Sequence, residues 1–286
     1  MRERESPFRH EWKERQPLTM PQAIGRFQVL GLAGHSSRGS QGRVYKGLEP
    51  SSGHYVAIKV LGDQFESYVE SLFAVLTRES DMADLHREAQ LLTSLNHENI
   101  VKIVEAGEDP AHGPYVATEW VAGETLNTLL DESGRLPTDK AVNICLDILE
   151  ALSAAHAAGV IHLDVKPGNI LLDDEGRAKL GDFGIAGGMR SALRAIEGRG
   201  TLGYMAPEQQ GLERAREIGP ATDIYSVGVV LFEMLTGRLP DYGTDIRQSL
   251  PYIPIHIVEA ISRALAFEPE RRFQSASEMA SALVGG

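Results

Sequence analysis

Short apolar runs broken by single polar residues mark the first part of this chain, and apolar residues recur every three to four positions in the second. The short runs are Phe27-Gln-Val-Leu-Gly31, Tyr55-Val-Ala-Ile-Lys-Val60, Asn99-Ile-Val-Lys-Ile-Val104 and Tyr115-Val-Ala-Thr-Glu-Trp-Val121, each predicting a strand. Between the first two lies Gly34-His-Ser-Ser-Arg-Gly39-Ser-Gln-Gly42-Arg-Val44-Tyr-Lys, a glycine-rich turn returning into another strand. Leu85, Glu88, Leu92 and Leu95 share one helix face, which puts a carboxylate on an apolar stripe, where it needs a partner. Ala141, Ile144, Ile148, Leu152 and Ala155 predict a long amphipathic helix from Thr138 that Gly159 stops. Ile170-Leu-Leu172 and Ala178-Lys-Leu180 flank Asp-Asp-Glu-Gly and predict a hairpin. Thr222-Asp223 is expected to cap a helix over Ile224 to Leu235 that is apolar almost all round, and hence buried, with Gly237 closing it.

The hairpin brings two polar clusters together. Before its first strand stand Asp164, Lys166 and Asn169; after its second stands Asp182. Three oxygen-bearing side chains and an ammonium suit a hydroxyl, a phosphate and a hard metal ion. Glycines at 34, 39 and 42 let backbone amides approach phosphates closely.

His162-Leu-Asp164, Asn169 at its fixed distance, and Asp182-Phe-Gly184 beyond the hairpin resemble the protein kinase superfamily. Ala57-Ile-Lys59 after Val56, and Gly200-Thr-Leu-Gly-Tyr-Met-Ala-Pro-Glu208, extend the resemblance, and the style of these motifs is similar to that of bacterial eukaryotic-like Ser/Thr kinases. The resemblance implies an α+β, bilobal fold: a small antiparallel β lobe with one main helix over residues 26–121, and a larger, mainly helical lobe over 122–286. It implies ATP and Mg²⁺, or Mn²⁺ in its place, as cofactors and protein substrates as partners. By the family's pattern Asp164 accepts the substrate hydroxyl proton, Lys166 sits on the transferring phosphate, and Asn169 and Asp182 hold the metal. Lys59 is placed on the α- and β-phosphates and paired with Glu88. Val44 and Ala57 belong to the nucleotide site, Thr118 to the back of the adenine pocket, and the backbone of Glu119 and Val121 to the adenine edge. His162 is expected to be a packed structural residue, Asp223 to brace the catalytic loop, and Arg272 rather than Arg271 to pair with Glu208.

The chain departs from the pattern in three places. Aligned back from Val44, the glycine loop has Ser37 for its first glycine; aligned forward from Phe27, Gly34 and Gly39 match and Ser40-Gln-Gly42 becomes an insertion. The spacing from Lys59 to Glu88 is long, with an excess over residues 65–84 that either regulates the helix bearing Glu88 or lengthens a surface loop. Leu163 stands where most relatives have arginine, and Ser191 is the only hydroxyl between Gly184 and Gly200. Loop phosphorylation is therefore not expected to be required.

Composition narrows the alternatives. A net charge of −12 over 286 residues argues against non-specific nucleic-acid binding. The single cysteine, Cys145, excludes an internal disulfide, fits a reducing cytosol, and lies in an apolar helical pattern as core filler rather than nucleophile. No apolar run is long enough to span a membrane. Residues 1–25 are charged and proline-bearing, either a disordered leader or one that Phe8 and Trp12 dock. Two alternatives stay open. One is a nucleotide-binding pseudokinase scaffold, which loss of Lys59, Asp164, Asn169 or Asp182 would favour and for which the irregular glycine loop leaves room although all four are present. The other is a small-molecule kinase, which would share this core but lack the peptide platform at 200–208.

Overall fold

The computed structural model describes residues 20–33, 43–60, 95–183, 202–210, 212–241 and 243–285. Six strands form one antiparallel sheet in the order β1-β2-β3-β4-β6-β5: β1 (Ala23–Ile24), β2 (Phe27–Leu32), β3 (Arg43–Leu48), β4 (Tyr55–Val60), β5 (Ile103–Asp109) and β6 (Gly113–Glu119). Period-two alternation sorts its faces. Ile24, Phe27, Val29, Tyr45, Val56, Ile58, Tyr115 and Ala117 pack into a core on one side. The register Val44↔Lys59, Lys46↔Ala57 and Ala57↔Thr118 puts Val44, Lys46, Ala57, Lys59 and Thr118 together on the other.

A three-stranded sheet, β7 (Gly123–Thr125), β8 (Ile170–Asp173) and β9 (Ala178–Leu180), opens the helical body. It is followed in space by α1 (Leu126–Ser133), α2 (Thr138–Ala157), α3 (Pro220–Thr236), α4 (Ile246–Ser249), α5 (Ile255–Ala264) and α6 (Ala276–Leu283). Helix α3 is the axis of this body, with Ile224, Val227, Val229, Val230, Leu231, Phe232 and Met234 all fully enclosed. Gly228 permits the α3–α5 contact, since a Cβ there would lie 2.8 Å from that of Ala264. Gly237, at φ 75°, ends α3 in the left-handed conformation that a helix stop favours. Cys145 is buried in α2, and that burial pushes its thiol pKa up, consistent with core filler. No helix among the described residues is long and apolar enough to cross a membrane.

Four expectations need correction. The segment Asn99 to Val101 is not a strand: His97 and Asn99 turn the chain, and Ile100 forms an isolated parallel bridge to Leu180 before β5 starts at Ile103. The strand expected over Tyr115–Val121 leaves the sheet after Glu119. Helix α3 begins at Pro220 with Gly219 as N-cap, because proline's fixed φ and missing N–H suit the first helical turn. Thr222 then lies inside the helix, its hydroxyl accepting from the Gly219 amide, and Asp223 caps nothing. Finally, the leader expected through residue 25 contains β1, whose Ile24 is wholly buried.

Candidate active site

The short 3₁₀ turn Pro167–Asn169 folds the chain back between Asp164 and β8. Asn169 is thereby buried beneath Asp164, and its amide donates to the Asp164 carbonyl (2.8 Å) and to Asp164 Oδ2 (3.0 Å). Lys166 Nζ reaches both carboxylate oxygens, at 3.0 and 2.8 Å. The backbone amide of Gly181 donates to the Asn169 carbonyl (2.8 Å), which sets Asp182 beside this cluster. From the opposite sheet, Lys59 Nζ contacts Asp182 Oδ2 at 2.6 Å. Asp164, Lys166 and Asn169 thus form one hydrogen-bonded cluster and Lys59–Asp182 a separate pair, joined to it through the Gly181–Asn169 backbone contact.

Asp182 lies among protein atoms, yet 42% of its side chain faces the cleft. Desolvation pushes its carboxyl pKa up, but the charge and hydrogen bond of Lys59, with help from Lys166, outweigh that and hold it below the usual range. The Asp182 carboxyl is therefore ionised at neutral pH, its charge matched by Lys59. Asp182 Oδ1 and Asn169 Oδ1 have no hydrogen-bond partner among the described residues, and no cluster of three His, Cys, Asp or Glu stands ready to cage a metal there. Such a sparse all-oxygen donor set fits Mg²⁺, which keeps waters and phosphate oxygens as its other ligands.

Among the described residues, two non-glycine residues adopt positive φ, Leu163 at 64° and Asp182 at 55°. This conformation costs roughly 1–3 kcal/mol per residue and persists where the surroundings impose it. At Leu163 the imposing groups are visible. Asp223, fully buried, accepts from the Leu163 amide (2.7 Å) and the His162 amide (2.9 Å), as expected of a brace. Gln209 Nε2 donates to the Leu163 carbonyl at 2.9 Å. His156 Nε2 adds a third contact to Asp223, at 2.8 Å. His162 is a packed residue: its Nδ1 accepts from the Asp164 amide, which leaves Nε2–H to donate to the Gly181 carbonyl at 3.0 Å, and its ring meets Phe183 edge-on.

Tyr204 and Met205 lead from the 202–208 segment down onto α3. The Tyr204 hydroxyl donates to Glu233 (2.6 Å), and Ser226 Oγ donates to the Tyr204 carbonyl (2.8 Å). Glu208 then meets Arg272 in a doubly hydrogen-bonded pair at 2.7 and 2.9 Å with neither side chain exposed, as the choice of Arg272 anticipated.

Val44, Ala57 and Thr118 line the sheet face above Lys59, and among the described residues the Val121 amide finds no acceptor. The Glu119 amide is taken by the Lys102 carbonyl, leaving its own carbonyl to the Thr118 hydroxyl at 3.3 Å. Gly34, Gly39, Gly42, Glu88, the 65–84 insertion, Ser191 and Thr201 lie outside the described residues. Sequence reasoning missed His156, Gln209 and Lys179. Their partners are distant in sequence, and their only local signal is a polar residue beside buried neighbours.

The protein kinase domain family matches residues 34–284. The chain is 32% identical over 91% of its length to "Probable serine/threonine-protein kinase PknB" of Bifidobacterium longum, covering 40% of that protein. It is 34% identical over 85% to "Serine/threonine-protein kinase PksC" of Streptomyces coelicolor, covering 50%, and 33% identical over 91% to "Serine/threonine-protein kinase PknA" of Mycobacterium tuberculosis, covering 61%. It thus spans about half the length of these relatives. A crystal structure of Rad53 1-466 in complex with AMP-PNP superposes with a TM-score of 0.68 at 26% identity, over 90% of this chain and 64% of that one. The chain belongs to the protein kinase domain family and has its bilobal α+β fold.

Proposed function

We propose that this chain transfers the γ-phosphate of ATP to serine or threonine hydroxyls of protein substrates. The observation that carries this reading is the convergence of Asp164, Lys166 and Asn169 from one side with the Lys59–Asp182 pair from the other. Asp164 accepts the proton of the attacking hydroxyl, whose oxygen bonds to the γ-phosphorus as the β,γ-bridging P–O bond breaks and ADP leaves. Lys166, held 2.8 Å from Asp164, neutralises charge on the transferring group and favours aliphatic hydroxyls over tyrosine by the family's pattern. Lys59 is positioned to exchange Asp182 for the α- and β-phosphates. Asn169 and Asp182 hold Mg²⁺, or Mn²⁺ in its place, which supplies charge neutralisation on the phosphates when bound. Val44, Ala57 and Thr118 form the apolar wall for the adenine, with the backbone of Glu119 and Val121 at its edge.

The division of the chain follows from the same reading: a small lobe to about Val121 and a large lobe from Ala122. A reducing cytosolic setting, without nucleic-acid partners, agrees with one buried cysteine and a net charge of −12. The test is Asp164→Asn. It is expected to keep nucleotide binding and lose phosphorylation of a protein substrate by roughly 10²–10⁴-fold. Wild-type turnover in that variant would overturn the assignment.

A further inference from the structure

Among the described residues two side-chain ion pairs join the six-stranded sheet to the helical body. One is Lys59–Asp182, inside the cleft; the other, Glu119–Lys179 at 2.9 Å, lies behind it and lines a shallow crevice. Glu119 is the last residue of β6 and Lys179 is the middle residue of β9, three positions before Asp182. The same Glu119 oxygen accepts from the Lys102 amide at 3.1 Å, and the Glu119 amide donates to the Lys102 carbonyl at 2.9 Å. The chain preceding Lys102 is stitched to β9 in turn. Val101 N–H donates to the Leu180 carbonyl (2.9 Å), Leu180 N–H to the Asn99 carbonyl (2.7 Å), and Asn99 Nδ2 to the Ala178 carbonyl (2.9 Å).

The next residue, Trp120, is held from the other side. The Trp120 amide donates to the Tyr55 carbonyl at 3.3 Å, and Lys46 Nζ lies 4.6 Å from the Trp120 ring and 4.5 Å from the Tyr55 ring. Consecutive residues therefore grip opposite sides: Trp120 the sheet, Glu119 the hairpin that delivers Asp182. Because β4, which carries Lys59, pairs directly with β6, a rotation drawing Lys59 from Asp182 also strains Glu119 against Lys179.

We infer that Glu119–Lys179 is a latch that resists opening of the cleft, a positioning pair that sets how fast nucleotide leaves. This rests on the reading that nucleotide binds between Lys59 and Asp182. Both side chains are partly exposed, 33% and 21%, so the latch is of moderate strength and can be released without unfolding either lobe. Glu119→Gln keeps an oxygen for the Lys102 amide and removes only the charge; Lys179→Met removes the ammonium and keeps the stem.

The experiment measures dissociation of a fluorescent ADP analogue by stopped flow, together with amide exchange of the nucleotide-free protein. Lys179→Met and Glu119→Gln are each expected to speed ADP release by about three- to tenfold. The double variant is expected to go no further, because both substitutions break one contact. Lys179→Arg, which keeps the cation, is expected to release ADP at the wild-type rate, and the KM for a peptide substrate is expected to stay unchanged. In the nucleotide-free protein, the Val101 and Leu180 amides are expected to exchange faster in Lys179→Met, and the Leu231 amide in α3 at the wild-type rate. Wild-type ADP release in folded Lys179→Met, or additive effects in the double variant, would overturn the latch. If the wild type binds no ADP analogue, the proposed function itself fails; amide exchange then decides the latch, and unchanged exchange at Val101 and Leu180 overturns it.

Discussion

Replacing Arg272 by lysine keeps the charge and should nonetheless damage the fold and the active site together. The guanidinium has five N–H donors, and all five are used: Nε on the Ala266 carbonyl, Nη1 on Glu208 Oε1 and the Ala221 carbonyl, Nη2 on Glu208 Oε2 and the Phe267 carbonyl. An ammonium has three donors, so at least two buried acceptors lose their partner at roughly 1–3 kcal/mol each. A net loss of about 2–4 kcal/mol follows, and at roughly 2–4 °C per kcal/mol for a chain of this size the melting temperature should drop by about 5–15 °C. Arg272→Met should cost more, since it leaves the fully buried Glu208 carboxylate with only the Thr222 hydroxyl, and adding Glu208→Gln should recover part of that loss. Turnover should fall below what the folded fraction explains, because Glu208 adjoins Gln209, which holds the Leu163 carbonyl of the catalytic loop. Thermal unfolding followed by circular dichroism provides the assay. An Arg272→Lys variant melting within about 2 °C of the wild type would refute the donor count as the source of stability.

Asp182→Asn should abolish metal-dependent phosphotransfer while the fold persists, since a hard divalent cation needs the carboxylate; calorimetric titration of Mg²⁺ with ADP would contradict this if affinity were retained. Asp109 has its carboxyl pulled down to about 2, first by the Gly25 amide and then, against desolvation, by His112 and the 111–112 amides. Its contribution to stability is complete above the unfolded value of 3.8 and is lost as the pH falls towards 2, so Asp109→Asn should flatten the acid limb of an unfolding profile between those values. Ser191→Ala should leave turnover on a fixed substrate unchanged, because Leu163 offers no cation for a loop phosphate to neutralise; a tenfold loss, matched by phosphatase treatment of the wild type, would show that loop phosphorylation is needed.

The elements that pattern and punctuation define locally were legible in the chain. Strand β4 spans Tyr55–Val60 as its short β-branched and aromatic run predicts, α2 runs from Thr138 to Ala157 just short of Gly159, and the β8–β9 hairpin closes over its Asp-Asp-Glu-Gly turn. Residues 99–101 were misread because Ile100 and Val101 are both buried while their backbone pairs in parallel with Leu180 instead of joining the main sheet. Thr222-Asp223 carried cap composition near α3, yet Pro220 decided the start; Thr222 serves both the N-cap amide of Gly219 and Glu208, and Asp223 serves the catalytic loop. Of the site, the identity of Asp164, Lys166, Asn169 and Asp182 was legible, whereas the left-handed backbone of Leu163 and Asp182 was not, since neither residue type announces it.

That last gap has a physical cause which also explains how the site is held. A non-glycine residue in the left-handed region is opposed by its own sterics, so its conformation must be imposed from elsewhere. For Leu163 the Asp223 carboxylate takes the two successive amides of His162 and Leu163, and Gln209 takes the Leu163 carbonyl. Asp223 sits in the first turn of α3, and Gln209 is tied to α3 through its neighbour Glu208, whose carboxylate accepts from Thr222 and is held by Arg272. The loop thus takes the backbone shape of Leu163 from the most deeply buried helix among the described residues, and its own contacts at His162, Lys166 and Asn169 complete it. Asp164 inherits that rigidity through the chain, and the Asp164 amide extends it to His162, whose Nε2–H fixes the Gly181 carbonyl next to Asp182. Hydrogen bonds from α3 therefore set the backbone that carries both carboxylates, whose side chains are then held by Lys166, Asn169 and Lys59. The leucine at position 163 fits this arrangement because it is held by its backbone, and its side chain, only 7% exposed, serves the core instead.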